Sequence, residues 1–144
     1  NPRKIFNDIT AFVDGSMVYG SDDDRAAELR SFSNGLLKVS SASNGDELLP
    51  FNTAHIPNEP NDGAEFFIGG DVRVNEQTGL LFMHTILVRA HNHLAQGVIE
   101  SVKNNFVGLT HDELDEYTYQ YTKAILTAII QKITYKDWLP TMFG

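Results

Sequence analysis

Arg73 and Glu76, three positions apart, are the residues of this sequence whose types and spacing best suit chemistry. Arg73 offers a permanent planar cation with a fork of N–H donors. Glu76 lies about one turn further on if the chain is helical there, so both side chains could face one cavity. Gly69 and Gly70 precede the pair and allow the backbone to approach another group closely. The same spacing is common in ion pairs that only solvate a helix surface, so both interpretations stay open at this point.

A second candidate group lies near the beginning of the chain, where Thr10, Phe12, Asp14 and Ser16 recur at every second position. In an extended segment this period places them on one side. Hydroxyls, a carboxylate and main-chain carbonyls are hard oxygen donors, which Ca²⁺ takes at about six to eight positions. The same pattern suits a half-buried strand that ends in an Asp-Gly turn, and one carboxylate alone balances a divalent cation poorly. From spacing alone we favour the strand.

Three of the five histidines lie in one predicted helix, but their spacing argues against a metal site. His84 and His91 are roughly 10 Å apart along a helix axis, too far to share one ion. His91 and His93 point to nearly opposite sides, and no pair has the i, i+4 spacing of helical metal ligands. We therefore predict that all three are hydrogen-bonded structural residues. His55 lies in an irregular stretch and is predicted to be on the surface.

The amino-acid composition limits the classes of protein to which this chain can belong. The chain has 144 residues, enough for one domain with a sizeable core, and its 42% hydrophobic content with nine Phe is typical of a globular protein. The net charge of −8 and pI of about 4.9 argue against a nucleic-acid surface. Absence of cysteine excludes disulfides, thiolate nucleophiles and thiolate metal sites. No apolar run is long enough for a membrane span and no signal-peptide pattern is present; we expect an excised piece of a longer protein.

The spacing of apolar residues predicts a mainly α fold with two long helices. An apolar stripe at three- and four-residue spacing predicts the first helix over 78–103. Thr110 and Glu113 form a capping box that predicts a second helix ending near Lys136. A short link favours antiparallel packing of the two. The predicted stripe of the first helix is Leu80, Met83, Leu87, Ala90, Leu94, Val98 and Val102. The predicted buried side of the second is Leu114, Tyr117, Tyr121, Ile125, Ala128, Ile129 and Ile133.

Shorter elements are predicted around these helices. Ser21 and the three aspartates after it indicate the start of a short helix that runs to about Ser33 and stops at Asn34-Gly35. A short strand is expected over 36–39, and irregular loops fill the rest of 36–68, where three prolines prevent a continuous helix. Pro140 is predicted to break the chain after the second long helix.

Taken in order, these segments resemble the middle of an animal-type haem peroxidase domain, from the peroxidase–cyclooxygenase superfamily. The similarity includes Gly-Asp-Val-Arg-Val-Asn-Glu at 70–76 and Arg-Ala-His-Asn-His-Leu-Ala at 89–95. It also runs through 9–21, 48–51, 84–85 and 133–140. Several motifs in the family's order cover nearly the whole chain. The resemblance therefore implies that residues 1–144 are part of this helical domain, and it reverses the preference for the purely structural interpretations.

The resemblance implies roles for single residues. Arg73 matches the arginine on the distal side of the haem, which stabilises charge on the departing oxygen while a distal histidine moves the peroxide proton. Glu76 matches the glutamate that forms an ester with a haem methyl group in many members. Four residues match the family's Ca²⁺ loop: Thr10, Phe12 (through its carbonyl), Asp14 and Ser16. The implied cofactors are haem b and Ca²⁺.

The resemblance also implies what other parts of the protein must supply. The family's distal histidine lies upstream of this segment and its proximal histidine downstream, and none of the five histidines here matches either. The expected partners are hydrogen peroxide, a halide or small organic donor, and the rest of the peroxidase chain, and the expected location is outside the cell. The fatty-acid dioxygenase branch of the superfamily and a non-catalytic Ca²⁺-stabilised module stay open as alternatives.

Overall fold

The computed structural model describes Asn7 and residues 9–144; the predicted domain also includes residues 1–6 and 8, which lie outside the described part. Five α-helices, the last of them short, one π-helical stretch and one two-stranded hairpin follow each other along the described residues. They are α1 (Ser16–Tyr19), α2 (Asp23–Leu29), β1 (Ser40–Ser41), β2 (Glu47–Leu48), α3 (Thr78–Asn105), α4 (His111–Lys132), the π-helical Ile133–Trp138 and α5 (Leu139–Phe143). The predicted mainly α fold is confirmed.

The two long helices begin at polar caps. The side chain of Gln77 accepts a hydrogen bond from the backbone N–H of Gly79 at the start of α3. At α4 the Thr110 hydroxyl accepts from the Glu113 N–H at 3.3 Å, and the Glu113 carboxylate accepts from the Thr110 N–H at 2.9 Å. The predicted capping box is therefore confirmed. A five-residue link, 106–110, returns α4 across α3, and Phe106 stacks on Tyr117 beside it, with 5.3 Å between ring centroids.

The core gathers residues from every part of the described chain. Ile68 and Val74 are fully buried on the two sides of the glycine pair. The remaining buried hydrophobic members of this cluster are Val18, Tyr19, Leu29, Leu37, Leu49, Val88, Tyr119 and Leu126. Burial of each large apolar side chain contributes about 1.5–3 kcal/mol. Because Ile68 and Val74 lie in this cluster, the segment that carries Arg73 is attached to the core at both ends.

α4 buries a different side from the one that its apolar stripe predicts. The buried residues are Asp115, Thr118, Tyr119, Thr122 and Leu126. The predicted buried side is wrong for every residue except Leu114, which is half-buried. The exposed large residues, at 39–50%, are Tyr117, Tyr121, Ile125, Ile129 and Ile133, and Ala128 is exposed as well. The physical reason is that the polar side makes directed contacts with the beginning of the chain. Asp115 accepts from the backbone N–H of Gly35 at 2.6 Å and from Arg30 at 2.8 Å.

The buried side of α3 is also displaced from the predicted stripe. It consists of His84, Val88, His91, Asn92, Ala95, Ile99 and Val102. Only Val102 belongs to the predicted stripe, most of which is half-buried, and Met83 is 48% exposed. Hydrogen-bonding residues replace apolar ones on the inner side: Asn92 accepts from the N–H of Leu37 at 2.8 Å and donates to its carbonyl at 3.1 Å.

The predicted end of the short helix is wrong. α2 stops at Leu29, because Arg30 is extended and forms a bridge with Leu37. Asn34 and Gly35 make the predicted turn, with φ of 57° and 71°. A side chain at Gly35 would meet the Tyr119 backbone N at 2.6 Å, so this glycine is required for close approach as well. The strand expected over 36–39 is reduced to the bridge at Leu37, and β1 follows it.

Pro140 does not break the chain as predicted. The helix continues from α4 through the π-helical stretch into α5, where Pro140 occupies the first turn. Proline has no N–H for the hydrogen bond to the preceding turn, and the irregular π-helical turn lies directly before α5. Across the described residues, no helix combines the length and the apolar character needed to cross a bilayer.

Candidate functional site

The segment 69–76 is fastened to the beginning of the chain through its two glycines. A Cβ at Gly70 would lie 2.1 Å from the Ser16 carbonyl oxygen, so only glycine fits there. The carbonyl of Gly69 accepts a hydrogen bond from Nη1 of buried Arg25 at 2.9 Å. The same guanidinium donates to the Pro57 carbonyl. The backbone that leads to Arg73 is therefore fixed before any side chain of the site is considered.

Arg73 and Glu76 lie on one turn, with both side chains at the surface of the described chain. The Glu76 N–H donates to the Arg73 carbonyl at 2.9 Å, which closes the turn between them. The guanidinium is bound by Asp71, at 2.9 Å from Nε to Oδ1 and 2.6 Å from Nη2 to Oδ2. Within the described residues Arg73 and Glu76 form no ion pair with each other. The arrangement leaves a cation and a carboxylate facing outward, one turn apart.

Arg73 and Asp71 shift each other's pKa values toward the charged forms. The hydrogen bonds that Arg73 donates to Asp71, and then the charge of Asp71, raise the pKa of Arg73 above its usual value, and Glu76 contributes in the same direction. The pKa of Asp71 is lowered, first by the hydrogen bonds from Arg73, although its partial burial opposes this. Both groups are therefore ionised at neutral pH.

The predicted calcium residues lie in an exposed loop and a helical turn. Thr10, Asp14 and Ser16 are partly exposed, Phe12 is 81% exposed, and Ser16 is the first residue of α1. The Thr10 hydroxyl accepts from the Phe12 N–H at 3.1 Å, and the Asp14 carboxylate accepts from the Ser16 N–H at 3.0 Å. A buried strand at this place, which spacing alone favoured, is wrong.

Two side chains of α4 that the sequence pattern did not predict as part of the site hold this loop. The Thr127 hydroxyl donates to the Asp14 carbonyl at 3.2 Å, and the Gln131 amide donates to the Val13 carbonyl at 2.8 Å. They are four positions apart, so they lie on one side of the helix. The available signal was this pair of polar residues at helical spacing within an otherwise apolar half of α4.

The donors of the loop fit a hard cation. Partial burial raises the pKa of Asp14, but hydrogen bonds from the Ser16 N–H and from the hydroxyls of Thr10 and Ser16 outweigh it, so the pKa is lowered overall. The carboxylate is therefore charged at neutral pH. No group of three or more His, Asp or Glu side chains that could hold a metal occurs among the described residues. A Ca²⁺ ion here would depend on hydroxyls and carbonyls beside one carboxylate, which is the predicted donor set.

The histidines confirm the structural prediction in two cases out of three. Buried His91 contacts the Tyr19 hydroxyl through Nδ1 at 2.9 Å and the Gly35 carbonyl through Nε2 at 2.8 Å. Burial lowers the pKa of His91, which favours the neutral ring. His84 is buried and its Nδ1 contacts the Leu80 carbonyl at 2.9 Å. His93 is exposed, so the prediction is wrong for it, whereas exposed His55 agrees with its predicted surface position.

The surroundings of Arg73 and Glu76 fit one wall of a site for an apolar ring with polar substituents. α3 begins directly after this turn, and its early turns expose Phe82, Met83 and Ile86 at 61%, 48% and 40%. Exposed apolar side chains that follow a cation and a carboxylate along the chain suit a haem, which combines an apolar macrocycle with an iron centre and propionates. The Nε2 atom of buried His84 has no partner within the described residues.

Comparison with known proteins identifies the family. The family model described as animal haem peroxidase matches residues 1–144. Human myeloperoxidase is 40% identical over 99% of the chain and 19% of its own length. The peroxidasin homologue pxn-1 of Caenorhabditis elegans is 38% identical over 99% of the chain and 11% of its own length. Chorion peroxidase of Aedes aegypti is 40% identical over 94% of the chain and 16% of its own length.

Solved structures show the same relationship. Peroxidase A of Dictyostelium discoideum superposes with a TM-score of 0.74 at 32% identity, over 90% of this chain and 24% of that one. The fatty acid alpha-dioxygenase of Oryza sativa superposes with a TM-score of 0.65 at 29% identity, over 90% of this chain and 17% of that one. The chain thus spans less than a quarter of the length of these relatives. It belongs to the animal haem peroxidase family.

Proposed function

We propose that the protein containing this chain is a haem peroxidase that uses hydrogen peroxide to oxidise halides or small organic donors. One observation carries the proposal: an outward-facing arginine, held by a carboxylate, lies one turn before an exposed glutamate on a backbone fixed to the core. Family membership supports it, because relatives of this chain are named peroxidases.

Arg73 stabilises negative charge on the oxygen that departs when the O–O bond of peroxide breaks. A guanidinium stays protonated at every working pH, and one that is already oriented needs no reorganisation when charge develops. The haem, when bound, supplies the iron at which peroxide is reduced and the oxidising equivalents that the donor receives. We assign the proton that moves between the two peroxide oxygens to a histidine from another part of the protein, because His84, which lies against Gly69 of this turn, is buried and matches a structural position of the family.

Glu76 would hold the haem covalently through an ester to the carbon of a haem methyl group. This C–O bond would replace one methyl C–H bond, and the two electrons released would reduce one hydrogen peroxide to water. The carboxylate is exposed on the same turn as Arg73, so attachment at Glu76 would bring the haem edge within reach of the arginine. The ester is part of the proposal, supported by the exposure of Glu76 and by its position in the family's motif.

The loop at 10–16 would bind Ca²⁺ through Thr10, the Phe12 carbonyl, Asp14 and Ser16. Its lowered Asp14 pKa and its hydroxyl and carbonyl donors support this, and further carboxylate would come from outside the described residues. The ion would stabilise the segment on which Gly70 rests, because Ser16 and Gly70 are in direct contact. We further propose an extracellular location, in line with the expectation from the family.

The test of Arg73 uses the full-length haem-loaded protein. Arg73→Ala is expected to lower the rate constant for the reaction with hydrogen peroxide about 10²-fold or more, as loss of one preorganised charge stabiliser does. The rate constant of Arg73→Lys should lie between those of Arg73→Ala and the unaltered protein, because lysine keeps the charge without the planar fork. Lys103→Ala, which removes another exposed cation, should leave the rate unchanged. Equal rates for Arg73→Ala and the unaltered protein would remove Arg73 from the mechanism.

The test of Glu76 is haem extraction. Haem should remain with the unaltered protein under denaturing conditions and be released from Glu76→Gln, with Glu65→Gln as a matched surface control. Haem that stays attached in Glu76→Gln would show that the ester involves another residue.

Two alternatives follow from the same family relationship. The structural similarity to fatty acid alpha-dioxygenase favours a haem-dependent fatty-acid dioxygenase as the second candidate. Fatty-acid-dependent oxygen uptake without peroxide-dependent dye oxidation would support it and contradict the peroxidase. A parent protein that shows no Soret absorption band after addition of haem would instead indicate a non-catalytic Ca²⁺-stabilised module.

A further inference from the structure

We propose that Asp71 is the positioning residue for Arg73, and that its carboxylate holds the guanidinium so that the remaining N–H groups are presented to the peroxide. The inference rests on the proposed function of Arg73 and assigns a role to a residue that the sequence motifs left unexplained.

The contacts of Asp71 fix the guanidinium at two atoms. Oδ1 accepts from Nε at 2.9 Å and Oδ2 accepts from Nη2 at 2.6 Å. Two parallel bonds to a planar fork determine both its direction and its plane, which a single bond does not. Within the described residues Nη1 donates to no group. Both Nη1 protons and one on Nη2 therefore stay available for a ligand.

Asp71 is itself well placed to act as the fixed partner. Its side chain is 15% exposed, compared with 51% for Arg73. It follows Gly70, whose backbone lies against Ser16 with no room for a side chain, and its carbonyl accepts from the Val74 N–H at 3.3 Å. Since Val74 is fully buried, the backbone on both sides of Asp71 is anchored. The carboxylate thus holds the exposed guanidinium of Arg73 in a fixed position relative to the core.

A purely structural role for Asp71 makes a different prediction. Oδ1 also accepts from the Arg73 backbone N–H at 2.9 Å, a turn contact that the carbonyl oxygen of asparagine can make equally well. Asp71→Asn therefore keeps the turn, removes the charge and replaces one acceptor of the guanidinium with an N–H₂ donor. If Asp71 only shaped the turn, this variant would behave like the unaltered protein.

The test uses the full-length haem-loaded protein and three measurements. Asp71→Asn is expected to lower the rate constant with hydrogen peroxide about 10- to 100-fold, as displacement of a catalytic group does. Cyanide binding, followed by the Soret band, should weaken about tenfold because the arginine no longer faces the bound anion. The donor KM should stay unchanged, and the melting temperature should fall by only a few degrees, as loss of one partly exposed ion pair does. Asp46→Asn, the same substitution in an exposed loop, should alter none of these.

A double-mutant cycle separates this inference from the proposed function. If Asp71 acts through Arg73, adding Asp71→Asn to Arg73→Ala should cause no further loss of rate. A full additional 10-fold loss in the double variant, or an unchanged rate in Asp71→Asn alone, would overturn the positioning role while leaving Arg73 in place. An unchanged rate in Arg73→Ala would instead refute the proposed role of the arginine.

Discussion

The turn at 69–76 and the loop at 10–16 both present charged or polar groups at the surface, but different forces hold them. The turn is attached to the core by Ile68 and Val74, both fully buried, so its shape is set by apolar burial. Among the described residues the loop has an apolar anchor only after its end, at Val18 and Tyr19 of α1, and is otherwise held by hydrogen bonds from Thr127 and Gln131 of α4. The turn is thus ready before any ligand arrives, whereas the loop gains most from a bound ion.

The two regions meet where Gly70 lies against Ser16. A substitution that adds a side chain at this contact is expected to have the largest effect. Gly70→Ala places a Cβ 2.1 Å from the Ser16 carbonyl, so one backbone must move. We expect the free energy of unfolding to fall by about 3 kcal/mol or more, as overpacking against an immobile group does. Denaturant unfolding of the full-length protein measures it.

The control for this substitution is Gly97→Ala. No atom lies within 4 Å of a Cβ at Gly97, which is in the middle of α3, so this variant should be about 0.5–1 kcal/mol more stable. Equal stability of the two variants would show that the turn and the loop are not in contact.

The second prediction concerns the ion that the loop is proposed to hold. Removal of Ca²⁺ from the full-length protein should lower the free energy of unfolding by about 2.7 kcal/mol where the free ion had been 100-fold above its Kd. Asp14→Asn should remove this dependence on Ca²⁺, and Asp46→Asn should keep it. Thermal unfolding with and without chelator provides the measurement, and identical curves for the unaltered protein would exclude a stabilising ion at this loop.

The smallest effect is expected on acid unfolding. The carboxylates of Asp14 and Asp71 both have lowered pKa values in the folded protein, but for different physical reasons. Each therefore stabilises the fold above the ordinary carboxyl pKa of 3.8, and this contribution is lost as pH falls through the lower folded pKa. The Asp71 contribution depends on the cation Arg73 and should shrink with added salt. When a chelator keeps the loop free of Ca²⁺, the Asp14 contribution comes from neutral donors and should not shrink.

Acid unfolding of Asp14→Asn and Asp71→Asn at low and high salt, with chelator present, tests this difference. The shift in midpoint pH caused by Asp71→Asn should decrease with salt, and that caused by Asp14→Asn should stay constant. The opposite ranking would mean that the loop, and not the turn, is held by charge.

The sequence was sufficient to predict the elements whose signals are local. The Thr110–Glu113 box and the stripe after Gln77 predicted both long helices, because caps and helical spacing act within a few residues. It was insufficient for the orientation of α4, since Thr118 and Tyr119 are buried against Gly35, about 80 positions away. Similarly, Arg73 and Asp14 could be named from their motif, whereas Thr127 and Gln131 emerge only from tertiary contacts. The role of Asp71 depends on side-chain geometry that its spacing from Arg73 does not predict.

The direction of every side chain after the π-helical stretch Ile133–Trp138 depends on the exact number of residues in that stretch. One extra residue accommodated in a widened turn rotates all later side chains by about 100° relative to an uninterrupted α-helix. Trp138 and Phe143, whose rings meet edge to face at 6.0 Å, therefore point in a direction that the phase of α4 does not determine. A single-residue deletion here would re-aim the whole end of the helix even if every remaining side chain were kept.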